Sequence, residues 1–139
     1  MKILIINGPN LNLLGSRETD IYGDMSFDEF FEDLQEAYID FQLSYFQSNI
    51  EGELVTKLQE ADKKKFNGII LNAGGYTHTS VALRDAVAAI KTPVVEVHIS
   101  NPMSREEFRH TSLITGVCKG IIAGFGLESY ALALDSFLP

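Results

Sequence analysis

Five short β-rich apolar runs alternate with helical patterns along this chain, and that alternation dictates the fold class. The runs lie at Lys2–Asn7, Leu43–Gln47, Gly68–Asn72, Val94–His98 and Gly120–Ala123. Strands that alternate with helices form βαβ units, so the sheet they build is parallel. The first, third and fifth runs are continuously apolar, as expected of strands covered on both faces. No repeat, low-complexity tract or linker interrupts the pattern. The 139 residues therefore read as one domain spanning 1–139.

The helices carry their own signals. Ser26 and Glu29 form a capping box, followed by Phe27, Phe30, Phe31, Leu34, Tyr38 and Phe41 at helical spacing. These aromatics read as core, and the acidic residues among them suit the helix start and its wet face. A second helix is expected from Glu51 to Lys64, burying Leu54, Leu58 and Ala61. A third follows Ser80 and buries Leu83, Val87 and Ile90. A short helix is expected from Ser104, capped through Glu107, and a last one over Leu127 to Leu138. The expected architecture is an α/β flavodoxin-like doubly wound five-stranded parallel sheet, order 2-1-3-4-5. Ligands of such sheets bind beyond the carboxyl ends of the strands.

Three of those ends are polar. The stretch Asn7 to Gly23 carries three asparagines, an arginine and a tyrosine, and is far longer than the usual ~2–6 residue connection. The others are Asn72-Ala-Gly-Gly-Tyr-Thr-His-Thr and Glu96-Val-His-Ile-Ser-Asn. Together they predict one cleft. A net charge of −8 disfavours nucleic acid, and Lys63-Lys64-Lys65 reads as a solvated helix end. No apolar run approaches the ~20 residues that span a bilayer, and the N-terminus has no signal-peptide layout. The expectation is a cytoplasmic protein with a small-molecule substrate and no membrane partner. The single Cys118 excludes an intramolecular disulfide and reads as a small inert residue.

Several chemistries lack their residues. Gly8, Gly15 and Gly23 match neither the dinucleotide fingerprint nor the phosphate loop, and no nucleophile elbow occurs. No lysine lies in a strand-end loop. What remains is a hydrogen-bonding set with a few cations: Asn10, Asn12, Arg17, Tyr22, Asn72, His78, His98, Ser100 and Arg109. Such a set can bind a small hydroxylated carboxylate and move protons on it. Glu96 and His98 stand two apart on a strand and face the same way. A carboxylate there fixes the imidazole tautomer and favours a proton donor. A core histidine satisfied by its neighbour is the competing reading.

Tyr22 has a similar pair of readings, a packing residue with a wet hydroxyl or a base. A phenol of pKa ~10 is about 0.1% ionised at pH 7, a deficit of roughly 4 kcal/mol. One arginine at ~4 Å, with an effective dielectric of ~20, offers about that much. Desolvation opposes it, so Arg17 alone leaves room for a second donor or cation.

The segments Asn7-Gly-Pro-Asn-Leu-Asn-Leu-Leu-Gly-x-Arg-Glu…Tyr-Gly, Asn72…Tyr-Thr-His-Thr-Ser and Glu96-Val-His-Ile-Ser-Asn…Arg-Glu-Glu-Phe-Arg-His, with Gly120-Ile-Ile-Ala-Gly-Phe-Gly, closely resemble type II 3-dehydroquinate dehydratase. The resemblance spans residues 7 to 126. It implies cofactor-free dehydration of 3-dehydroquinate to 3-dehydroshikimate in aromatic amino-acid precursor synthesis, and a homododecamer built as a tetramer of trimers. Carried over by position, Tyr22 would take the proton α to the ketone, giving an enolate. Arg17 would favour the tyrosinate, and Asn12 would hold a water or donor near the enolate oxygen. His98, oriented by Glu96, would protonate the departing β-hydroxyl. Asn72, the backbone of Ile99 and Ser100, His78 and Arg109 would bind the carboxylate and hydroxyls. Asp85 would reach a neighbouring subunit's site. The chain departs from the resemblance at Thr19, where the family often has Pro, and at Asn72-Ala-Gly-Gly, where it often has Asn-Pro-Gly-Ala. Neither departure removes a chemical group.

Two rival classes remain on the residues alone. One is a metal-dependent hydrolase using Glu96, His98, His78 or His110, although these lack the i, i+4 spacing of common zinc sites. The other is a non-catalytic flavodoxin-like binding module.

Overall fold

A computed structural model describes every residue except Arg17. Five strands, β1 (Lys2–Asn7), β2 (Gln42–Gln47), β3 (Gly68–Asn72), β4 (Val94–His98) and β5 (Gly120–Ala123), form one parallel sheet in the order β2-β1-β3-β4-β5. This is the flavodoxin-like order expected from the alternation. The helices are α1 (Thr19–Tyr22), α2 (Phe27–Ala37), α3 (Glu51–Lys63), α4 (Val81–Ala89) and α5 (Glu128–Asp135).

Alternation along each strand sorts the core into two layers. Ile3, Ile5, Ile70, Val95 and Val97 pack against Phe27 and Leu34 of α2 and against Tyr130 and Leu134 of α5. Leu4, Ile6, Ile69 and Leu71 pack on the other side against Leu54 and Leu58 of α3 and Leu83 and Val87 of α4. The Ser26 hydroxyl accepts from the Glu29 amide at 3.2 Å, and Ser80 caps α4 by accepting from the Leu83 amide at 2.9 Å. The cap read at Ser26 is thus in place, Ser80 adds one that was not read, and the capping box read at Ser104 does not form, since Ser104 lies inside a 3₁₀ turn capped by Asn101.

Four expectations need correction. The fifth run is not covered on both faces: it is an edge strand, Ile122 packs inward, and Ile121 on the other face is 46% exposed. The last helix is shorter than expected, and Ile90 follows the end of α4, partly buried. The helix expected from Ser104 is instead two 3₁₀ turns, Pro102–Ser104 and Glu107–Arg109. Asn101 caps the first turn from outside, accepting from the Met103 amide at 3.1 Å, and Pro102 brings the φ that a first turn requires. The turn therefore starts and ends early, leaving Arg105 extended between the two (φ −109°, ψ −162°).

Strand register decides which residues meet at the carboxyl edge. Asn7 is aligned with both Gln47 and Asn72, and His98 with Ala123. The loops after β1 and β3 touch closely: a Cβ on Gly8 would stand 2.5 Å from the Ala73 carbonyl oxygen. Gly74 takes φ +60°, a conformation open to glycine, against the Pro9 carbonyl. That contact holds the polar ends of β1 and β3 together.

Candidate active site

The carboxyl ends of β1, β3 and β4 enclose a cleft of about 170 Å³ lined by Pro9, Asn10, Leu11, Tyr22, Asn72, Gly74, Gly75, His78, His98, Ile99, Ser100, Pro102, Arg105 and Arg109. Ligand sites for drug-sized molecules run to roughly 300–1,000 Å³, so this one suits a small polar ligand. A larger groove of about 880 Å³ lies on the other side of α1, between α2 and α5. Its lining is mostly apolar and gathers no converging set of polar groups, which leaves the smaller cleft as the site.

His98 and Glu96 form the best-supported pair. Glu96 is fully buried, and its carboxylate lies 2.5 Å from His98 Nε2. Thr115 Oγ1 donates to the same carboxylate at 2.5 Å and Ser112 Oγ at 3.1 Å. Burial alone would raise this carboxyl, but the hydrogen bonds from His98, Thr115 and Ser112, with the charge of His98, outweigh it and hold the group below its ordinary range. The negative charge stays, and with it a fixed imidazole. The period of two along β4 placed these side chains together as expected.

His78 enters from the 3₁₀ turn Gly74–His78, its Nδ1 lying 2.7 Å from the Thr111 carbonyl oxygen. A carbonyl only accepts, so Nδ1 carries the proton. The His78 and His98 rings stand 6.5 Å apart, close to parallel. Asn72 is 4% exposed and points its amide at the edge of the cleft, where its Oδ1 accepts from the Gly74 amide at 3.2 Å.

Tyr22 closes α1, a single helical turn that ends at Gly23 with φ +81°. Arg105 Nη1 donates to the Tyr22 hydroxyl oxygen at 2.9 Å and to Ser100 Oγ at 3.3 Å, and its guanidinium carbon lies 5.5 Å from the centre of the tyrosine ring. Arg105 is thus a cation seated at the Tyr22 hydroxyl. Sequence reasoning missed it. The motif Arg105-Glu-Glu-Phe-Arg was in view, but an expected helix from Ser104 hid the direction of its first residue. Arg109, which was anticipated, lines the cleft with its Nε donating to Glu106 at 2.9 Å. That bond holds Glu106 below the ordinary carboxylate range.

Other anticipated residues fall elsewhere. Asn12 does not line the cleft but a separate groove with Leu14, Ser26, Phe27 and Gln47. The tight turn Leu11–Leu13 rotates successive side chains away from one another, so Asn10 and the buried Leu11 take the cleft side. Asp85 is exposed on α4, paired with Arg84 at 3.0 Å. His110 lies outside the lining and contacts the Arg105 carbonyl through Nε2 at 3.2 Å. Arg17 lies outside the described residues. Among the described residues no group of three or more His, Cys, Asp or Glu side chains is placed to hold a metal ion. Burial pushes the Cys118 thiol up to about 12, so it is a poor nucleophile.

Comparison with known proteins gives the family. Residues 1–138 match the model of the family described as Dehydroquinase class II. The chain belongs to the class II dehydroquinases. A relative from an Exiguobacterium, named 3-dehydroquinate dehydratase, is 54% identical over 139 residues, covering 99% of this chain and 94% of its own. Another so named, from Campylobacter jejuni, is 56% identical over 136 residues, covering 96% and 85%. The crystal structure of a type II dehydroquinase from Butyrivibrio crossotus superposes with a TM-score of 0.95 at 46% identity, covering 99% of this class II dehydroquinase and 97% of that chain.

Proposed function

We propose that this protein dehydrates 3-dehydroquinate to 3-dehydroshikimate, without a cofactor, by anti elimination through an enolate in the shikimate pathway. Family membership supports the dehydratase activity and its pathway. The finer reading rests on one observation: a phenol held by a guanidinium and an imidazole held by a buried carboxylate line the same small cleft.

In this reading the Tyr22 phenolate removes the proton α to the ketone, and the electron pair moves onto the carbonyl oxygen. Collapse of that enolate forms the carbon–carbon double bond and breaks the bond to the β-hydroxyl. His98 gives that oxygen its proton, and water leaves. Tyr22 has then gained one proton and His98 has lost one, which exchange with solvent restores. The ketone itself acidifies the carbon–hydrogen bond, so the chemistry asks for positioned charge rather than a cofactor. Arg105 holds the Tyr22 oxygen, and Arg17, from the segment that carries Tyr22, supports the developing charge. Asn72, His78, the backbone of Ile99 and Ser100, and Arg109 bind the carboxylate and hydroxyls.

No helix among the described residues is long and apolar enough to cross a membrane. A cytoplasmic homododecamer, a tetramer of trimers in which exposed Asp85 reaches a neighbour's cleft, completes the proposal. Sedimentation of the purified protein tests the assembly, and a monomer would remove that role for Asp85. The decisive test of function is the rise in ultraviolet absorbance from the conjugated enone when 3-dehydroquinate is added, with borohydride present. Turnover that survives borohydride supports an enolate route, whereas inactivation by borohydride would point to an imine and overturn it.

A further inference from the structure

We propose that Tyr130, on α5 outside the cleft, is a positioning residue that fixes the amide of Asn72 for substrate. The inference rests on the functional reading above and extends it to a residue that touches no ligand. Tyr130 is fully buried, with its ring against Phe27 and Phe30 at centroid distances of 5.0 and 6.1 Å. Its hydroxyl reaches the carboxyl edge of the sheet, where Asn7 and Asn72 stand in register on neighbouring strands. There it donates to Asn7 Oδ1 at 2.7 Å and accepts from Asn72 Nδ2 at 2.9 Å.

The polarity of this chain is determined. A phenol has one proton, and Asn7 Oδ1 takes it, so Asn72 must present its nitrogen to Tyr130. The far end of the Asn72 amide agrees, because Oδ1 accepts from the Gly74 amide at 3.2 Å. Flipping the amide would set oxygen against the phenol oxygen and NH₂ against a backbone N–H. At the other end Asn7 Nδ2 is directed at the Tyr45 hydroxyl at 3.4 Å, which leaves Asn7 Oδ1 to take the Tyr130 proton. One N–H and one lone pair of Asn72 stay available to a ligand in the cleft, with their orientation preset. Burial pushes the Tyr130 phenol far up, so it serves as a neutral hydrogen-bonding group and not as a base.

Tyr130→Phe removes one oxygen and leaves the packing of the ring intact. The Asn72 amide then turns more freely, and its abandoned N–H competes for the groups the substrate should bind. Because that costs ground-state and transition-state binding alike, KM for 3-dehydroquinate should rise about tenfold while kcat stays within about threefold. The same substitution in an Asn72→Ala background should change kcat/KM by less than about twofold, since Tyr130 acts through that amide. An unchanged KM, a loss confined to kcat, or an equal loss in both backgrounds would overturn the proposal. If Tyr130→Phe does not fold, Asn7→Ala removes the acceptor that orients the phenol proton. It should give the same KM-selective loss, again absent beside Asn72→Ala, and an equal loss in both backgrounds would again refute it. A wild-type protein inert toward 3-dehydroquinate sinks the functional reading itself, and this inference with it; an active wild type with an indifferent Tyr130→Phe sinks this inference alone.

Discussion

Replacing Glu96 by Gln keeps the shape of the side chain and removes a charge that is wholly buried. The carboxylate accepts from His98 Nε2 and Thr115 Oγ1, each at 2.5 Å, and from Ser112 Oγ at 3.1 Å. The two hydroxyls can rotate to suit an amide, but the imidazole loses an ionic partner. A hydrogen bond to a charged group contributes about 1.5–3 kcal/mol. At about 1.4 kcal/mol per tenfold in rate, kcat should fall roughly 10- to 150-fold. KM should change little, because Glu96 does not line the cleft.

The same variant makes a second prediction, in stability. Folding holds the Glu96 carboxyl below its ordinary value of 4.5. The stabilisation this represents is complete above that value and is lost as pH falls through the lower, folded-state one. Glutamine does not titrate. Wild type should therefore exceed Glu96→Gln in urea midpoint at about pH 5, and the margin should narrow as the solution becomes more acidic. Turnover within threefold of wild type, or a margin that widens on acidification, would refute the assignment of Glu96 as the ionised support of His98.

Tyr22→Phe should cut kcat by about 10²–10⁴, the usual worth of a positioned base, while equilibrium binding of a substrate analogue by calorimetry remains measurable; near-normal turnover would remove Tyr22 from the mechanism. Arg105→Gln should lower kcat by at least about tenfold, because one charge-assisted bond to the Tyr22 oxygen is lost. A steady-state assay that finds only KM altered would confine Arg105 to binding. Gly8→Ala would drive a methyl group to 2.5 Å from the Ala73 carbonyl oxygen, where neither backbone can yield cheaply. Overpacking of that kind costs about 1–3 kcal/mol, and a thermal midpoint equal to wild type would show that the two loops do not abut.

Much of this molecule was legible in local pattern. Four of the five strand ranges agree residue for residue, because β-branched and apolar runs with polar endings mark strands without outside help. The cap at Ser26 is chemistry within four residues, and the pairing of Glu96 with His98 follows from the two-residue period of a strand. Motif order alone carried the resemblance to the dehydroquinase family.

What local pattern could not supply lies across long stretches of chain. Arg105 meets Tyr22 across 83 residues, and Tyr130 meets Asn72 across 58. Nothing in either neighbourhood anticipates its partner. Arg105 reaches the phenol only because a proline turn released it from a helix. Tyr130 reaches Asn72 only because parallel register brings two asparagines side by side under α5. The exposed face of β5 is a further case, since a strand that reads as buried lies at the sheet's edge through the order of pairing. Backbone propensity and hydrophobic period act within a turn or two of chain, and so determine elements and their buried faces. Which side chains share a proton depends on the sheet order and register that bring distant segments within hydrogen-bond reach.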